Sequence, residues 1–336
     1  MNTEINQHNK AMEQQVLPQL LYPHLPIVFL MGPTASGKTA LAIDLYQTDL
    51  FEIVSVDSAM VYRQLNIGSA KPTLDELARA PHHLIDFVDP AISYSAANFV
   101  HDAKKLINEI HQRGKTPLLT GGTMLYFKAL RDGLAQLPEA DASMREHLQQ
   151  QLHRQGIEAL HQQLMQCDAV TAKRLHPTDT QRILRALEVF FITQKPLSQW
   201  HAEQQDNVLP NPLLSIALAP GDRSQLHRRI ALRFEQMMAQ GFLQEVTQLY
   251  ERPDLSADLP AIKSVGYRQL WQYLAGELTL TEATERGIIA TRQLAKRQYT
   301  WLRSWSEVQW FDPLVDTELA AARQQILTWT KHHWPH

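Results

Sequence analysis

The stretch Gly32-Pro33-Thr34-Ala35-Ser36-Gly37-Lys38-Thr39 constrains the fold of this chain more than any other. It satisfies G-x-x-x-x-G-K-[ST] and lies between a short apolar run from Ile27 to Met31 and a helix-like stretch from Thr39 to Tyr46, as a phosphate-binding loop requires. The glycines let backbone N–H groups turn inward around phosphate oxygens, and the helix N-terminus adds positive potential. Lys38 supplies a point charge and Thr39 a hydroxyl for Mg²⁺. The usual ligand of such a loop is ATP or GTP, but the loop alone leaves open what its phosphate belongs to.

The flanking pattern predicts an α/β fold. Strands are expected at Ile27 to Met31, Phe51 to Ser58 and Lys115 to Gly122, with a helix from Ser95 to Arg113 between the last two. Strands alternating with helices imply a parallel sheet with right-handed crossovers, whose ligands sit at the carboxyl ends of the strands. Gly32 to Thr39, Asp57 and Gly121 to Thr123 are therefore expected to share one cleft. From Ser143, where Ser143 and Glu146 suggest a capping box, the chain turns rich in Gln, His, Leu and Ala without a strand signal. The expectation is a P-loop NTPase-like core at 26–140 and 205–315 and an inserted all-helical domain at 141–204. An N-terminal extension at 1–25, partly disordered, and a C-terminal helix or tail at 316–336 complete the expected organisation. Pro212 to Pro220 and Val308 to Asp312 read as further strands, the latter at an edge.

Composition narrows the function classes. No apolar run approaches the roughly 18 residues that span a bilayer, and the N-terminus lacks the layout of a secretory signal, so a cytoplasmic protein is expected. Cys167 is the single cysteine, which excludes an internal disulfide and a thiolate metal cluster. The formal net charge of -3 hides an uneven distribution. Between Arg286 and Arg303 stand Arg286, Arg292, Lys296, Arg297 and Arg303 with no Asp or Glu, interleaved with Tyr299, Trp301 and Trp305. A solvated helix face is the ordinary reading of such a run; aromatic company makes it a candidate surface for stacked bases.

A nucleotide-hydrolysing enzyme needs an apolar strand ending in an acid that holds the Mg²⁺ shell. The strand in that place, Pro117 to Gly122, ends in Thr120, Gly121, Gly122 and Thr123 without a carboxylate. Asp57, after Val56, is the nearest substitute. It is open to two readings: a turn aspartate, or a base that takes a proton from a nucleophile in line with the leaving phosphate.

Seven ordered blocks sharpen the choice: GPTASGKT, SVDSAMVYRQLNIGSAKP, PHHLIDFVDP, YSAANF, LLTGGTMLYFKAL, HPTDTQRILRALEVF and IKSVGYRQLW. In this order and context they resemble bacterial tRNA dimethylallyltransferase over about Ile27 to Asp312. The resemblance implies prenyl transfer from dimethylallyl diphosphate to N6 of the adenosine just 3′ of the anticodon, with the loop holding diphosphate, Mg²⁺ near Thr39, and the target base extracted from its stack. It implies Asp57 as general base, Thr123 facing the target base and Arg233 reaching the diphosphate. Asp57, Ser58, Ala59 and Met60, Gln181, Arg182, Ile183, Leu184 and Arg185, and Lys263, Ser264, Val265, Gly266, Tyr267 and Arg268 match segments that contact the tRNA anticodon stem-loop, as does Arg145. Arg292, Lys296 and Arg297 join them as candidate phosphate contacts. Met60 stands where many members carry Gln, and Ser69 where Thr is usual. No membrane and no obligate protein partner are expected, with a monomer as the default. Two rivals remain on the residues alone: a small-molecule kinase using ATP, and a nucleotide-gated RNA-binding module without catalysis.

Overall fold

The computed structural model describes residues 18–135, 137–138, 141–203 and 208–335. The first part of the chain runs β1 (Ile27–Met31), α1 (Lys38–Tyr46), β2 (Phe51–Val56), α2 (Leu74–Arg79), β3 (His82–His83), α3 (Ala96–Gln112), β4 (Thr116–Gly121) and α4 (Met124–Asp132). Four helices follow: α5 (Ala142–Cys167), α6 (Ala169–Arg174), α7 (Thr180–Thr193) and α8 (Leu197–Ala202). The chain then continues through β5 (Leu213–Leu218), α9 (Arg223–Ala239), α10 (Phe242–Tyr250), α11 (Tyr267–Leu274), α12 (Leu280–Arg303), β6 (Gln309–Phe311) and α13 (Asp316–His333).

The strands form one six-stranded sheet, all parallel, in the order β3-β2-β4-β1-β5-β6. β1 is central and buried along its whole length, which is why it reads as an unbroken apolar run rather than an alternating one. The register pairs Met31 with Gly121 and Ala217, and Val56 with Gly121. The carboxyl ends of β1, β2, β4 and β5 therefore finish together, and whatever follows them shares one edge of the sheet.

The chain divides into two compact units, Arg131–Leu209 and the remainder. The helical unit thus extends beyond 141–204 at both ends, although residues 139, 140 and 204 lie outside the described ones. In the larger unit α13 supplies Ala322 and Ile326 to the core around Val28, Leu30, Leu118 and Ile216, so the C-terminal helix is part of the core and not an appendage. Of the N-terminal extension, residues 1–17 lie outside the described ones; Leu25 is buried and the Leu21 N–H donates to Asn108.

The helical unit packs around Leu148, Leu160, Leu164, Ile183, Leu187 and Val189. The expected capping box at Ser143 does not form. Asp141 caps α5, accepting from the Met144 N–H at 2.7 Å, and Ser143 donates its hydroxyl to Asp141 instead. A carboxylate two residues earlier is the stronger partner for the positive end of the helix. No helix among the described residues is long and apolar enough to cross a membrane.

Candidate active site

The ends of β1, β2 and β4 open into a cleft of about 990 Å³ in the larger unit. Thr34 to Thr39, Asp57 to Met60 and Gly121 to Thr123 line it together, joined by Arg229, Arg233, Lys263, Ser264, Val265, Arg297, Gln298 and Trp301.

Contacts within the chain shape the loop. Gly37, at φ 94°, turns the backbone into α1 in a conformation L side chains avoid, and no side chain caps that helix start. Its uncapped N–H groups make an anion site. Lys38 Nζ donates to the carbonyls of Gly32 (2.9 Å) and Pro33 (2.7 Å) and to Ser36 Oγ (3.3 Å). Burial pushes the Lys38 ammonium down to about 7; the charge of Asp57 opposes that shift and that of Arg233 adds to it.

Asp57 does two things at once. Oδ1 accepts from the N–H groups of Ala59 (2.8 Å) and Met60 (3.2 Å), which makes the turn that the sequence left open, while Oδ2 accepts no hydrogen bond from the described residues. Burial raises its pKa, against the backbone N–H groups and the charges of Lys38 and Arg233. The Thr123 N–H donates to Val56 O at 3.2 Å, and its Oγ1 accepts from the Ser58 N–H at 3.0 Å, so Thr123 is fastened to the residue after Asp57. Helix α9 turns Leu226, Ile230 and Phe234 inward. Arg229 and Arg233, four residues apart, share its cleft face. Arg229 Nε donates to Ala35 O at 3.0 Å, and Arg233 is desolvated within reach of the charge of Asp57.

The segment that brings Gly68 and Ser69 to the cleft is held by Glu245. Its carboxylate accepts from the N–H groups of Asn66 (3.1 Å), Ile67 (2.8 Å) and Gly68 (3.2 Å) and from the Tyr267 hydroxyl (2.6 Å). Ser69 keeps the hydroxyl of the usual Thr and donates it to Leu65 O at 2.6 Å, while Met60 places its sulfur against Ser55 Oγ.

Several expected RNA contacts face elsewhere. Tyr267 and Ile183 are 0% exposed, and Gly266 is buried too, so the segments around them can meet a ligand only through their neighbours: Lys263, Ser264, Val265 and Arg268, or Gln181, Arg182 and Arg185. Leu184 packs against the helical unit's core. The physical reason is helix periodicity: one face of each segment must fill a core. Arg145 and Arg185 both donate to Glu188, itself 2% exposed, at 2.9 and 2.8 Å. Tyr299 on α12 and Trp305 just past its end are buried, with the Tyr299 hydroxyl donating to Pro220 O, so neither ring is open to a base. Trp301 and Arg297 line the cleft; Arg292 and Lys296 do not.

The oxygen donors bear on Mg²⁺. Among the described residues no group of three or more His, Cys, Asp or Glu could hold a metal by itself. The Thr39 hydroxyl and the Asp57 carboxylate line the same cleft. That sparse set suits Mg²⁺, which takes one or two protein oxygens and completes its octahedron with water and substrate phosphates.

A family model described as IPP transferase matches residues 60–305. Among solved structures, the chain is 35% identical to a tRNA isopentenylpyrophosphate transferase from Bacillus halodurans, covering 92% of this chain and 97% of that one with a TM-score of 0.67. It is 32% identical to a tRNA delta(2)-isopentenylpyrophosphate transferase from Staphylococcus epidermidis, with 92% and 99% covered and a TM-score of 0.66. A eukaryotic dimethylallyltransferase acting on tRNA aligns at 26% identity over 93% of this chain and 80% of its own, with a TM-score of 0.78. A six-stranded parallel sheet around a phosphate loop, and a family match over most of its length, place the protein: this chain belongs to the IPP transferase family of prenyltransferases.

Proposed function

We propose that the chain transfers a dimethylallyl group from dimethylallyl diphosphate to N6 of the adenosine immediately 3′ of the anticodon in tRNA, releasing diphosphate. The observation that carries this reading is one cleft holding the phosphate loop, Asp57 just after β2 in place of an acid at the end of β4, and Thr123 fastened beside it. The eukaryotic relative acts on tRNA, which supports the same acceptor here.

In the proposed reaction the N6 lone pair attacks the first carbon of the allyl group. The carbon–oxygen bond breaks, its electrons pass to the diphosphate oxygen, and the N6 proton goes to Asp57 Oδ2. An adenine amine is a weak nucleophile because its lone pair is shared with the ring, so a base within reach has a defined task. The loop N–H groups, Lys38 and Arg233 offset the charge growing on the leaving oxygen. Thr39 is the residue that would hold Mg²⁺, which when bound would add further neutralisation of the diphosphate. Thr123 faces the extracted base. Exposed Arg145, Gln181, Arg182, Lys263 and Arg268, with Arg297 at the cleft, meet the RNA backbone. Arg145 and Arg185 are pre-ordered for this by Glu188, since a held guanidinium loses less freedom on binding.

Incubating purified protein with unmodified tRNA and labelled dimethylallyl diphosphate, and in a parallel reaction with tRNA and ATP, tests the assignment. Label transfer to tRNA without ATP is expected; ATP hydrolysis or phosphoryl transfer in its place would sink it. Two further results are expected. A neutral Lys38 amine regains its proton when a polyanion enters, so affinity should weaken as pH climbs above about 7. Calorimetry near pH 8 in buffers of different ionisation enthalpy should show uptake of nearly one proton, because a group titrating near 7 is then roughly nine-tenths neutral. The uptake should vanish in Lys38→Met; equal uptake in both proteins returns the proton to another group. Replacing Arg297 with Ala should lower the slope of log tRNA affinity against log salt by about 0.7 to 0.9, and an unchanged slope removes Arg297 from the phosphate contacts.

A further inference from the structure

Gln298 sits in the cleft wall without a part in the chemistry above. It is 6% exposed, and both ends of its amide are used. Oε1 accepts from the Thr34 N–H at 2.9 Å, and Nε2 donates to the Gly122 carbonyl at 2.8 Å. The partners are 264 and 176 residues away in sequence, one in the phosphate loop and one in the turn that carries Thr123. A Cβ on residue 122 would lie 2.3 Å from Gln298 Nε2, so the strap and the glycine need each other.

We propose that Gln298 is a positioning residue that fixes the separation between the phosphate loop and the Gly122–Thr123 turn. This rests on the reading of the loop as a diphosphate site. By accepting the Thr34 N–H, Gln298 also turns that donor away from the ligand, which leaves anion binding to the helix-start N–H groups and Lys38. The amide chemistry is specific. A carboxylate would set an oxygen against the Gly122 carbonyl, and an apolar side chain would leave a part-buried N–H and a part-buried carbonyl without this partner. The two anchors belong to opposite partners of the reaction: the loop holds the leaving group, and Thr123 with Asp57 faces the attacking amine. An ångström of play between them separates atoms that must meet in line.

The test uses Gln298→Asn, Gln298→Ala, Gly122→Ala and the double variant Gln298→Ala/Gly122→Ala in the full chain. Inorganic diphosphate is titrated by calorimetry to count competent sites. Gln298→Asn keeps a buried amide but is one methylene too short to reach both anchors. Its kcat per diphosphate-binding site should fall roughly 10- to 100-fold while its KM for tRNA stays within about threefold, the mark of lost alignment rather than lost binding. Gly122→Ala should reproduce the fall by displacing Nε2. The double variant should lose little beyond Gln298→Ala, because contacting residues that act as a unit are not additive. A near-wild-type kcat in Gln298→Asn, or additive losses in the double variant, would overturn the proposal. If wild-type protein binds no diphosphate, the reading of the loop fails first, and that outcome is distinct from active wild type with an indifferent Gln298. Should the Asn variant lose diphosphate binding sites in proportion to activity, Gln298 is a folding contact and the positioning role is rejected.

Discussion

Replacing Asp57 with Ala is expected to lower turnover roughly 10²- to 10⁴-fold, the range that loss of a general base usually costs, with little change in tRNA affinity. Ala also removes the turn that Oδ1 makes with Ala59 and Met60. Asp57→Asn is the sharper experiment, because its amide oxygen can keep that turn while losing the basic site. Both variants should fall together if proton acceptance is the function, and Asp57→Asn at near-normal rate removes Asp57 from that role. The pH profile carries the same sign. Burial raises the Asp57 pKa, so the protonated, inactive form persists to higher pH than for an ordinary carboxylate. Activity should therefore rise with pH through that raised value, and bound diphosphate should move the limb higher still. In the Asp57 variants the limb should be missing.

Lys38→Met is expected to cost roughly 10²- to 10³-fold in kcat/KM for dimethylallyl diphosphate, the scale seen when a preorganised donor to a developing anion is lost. Product inhibition by diphosphate should weaken alongside. Lys38→Arg should restore little of this. Nζ sits among two carbonyls and a hydroxyl at 2.7 to 3.3 Å, a pocket for a compact ammonium, whereas a guanidinium is a broad planar fork. Unchanged diphosphate inhibition in Lys38→Met would mean that the phosphate binds elsewhere.

Much of the frame was legible because it follows from local rules. The apolar run at β1 and the glycine-bounded loop announce a buried parallel strand and a helix start. Since parallel strands present ligands at one edge, Asp57 and Thr123 could be placed in one cleft without coordinates. The helical blocks were less legible, because a matched segment does not say which of its side chains face out. Ile183 and Tyr267 carry core packing, and Tyr299 shares a helix with Trp301 yet is buried, as is Trp305 just past the helix end. Arg229 had a signal, four residues ahead of Arg233 on one helix. Gln298 and Glu245 had none, since each acts through contacts more than 170 residues away or through backbone amides that a sequence does not display.

The register of the sheet has a consequence for reaction type. β4 is the strand beside β1, and β2 lies one place further out. An acid at the end of β4 would stand next to the phosphate loop, where it favours metal and water. Moving the acid to β2 shifts its backbone anchor outward by one strand spacing, about 4.8 Å. The vacated place is occupied by glycines. The sheet thereby serves as a ruler: on the proposed reading, the added increment is the span of a short carbon unit between the departing oxygen and the base. On that reading, one strand's displacement sets a scaffold suited to cutting phosphate from phosphate to cut carbon from diphosphate.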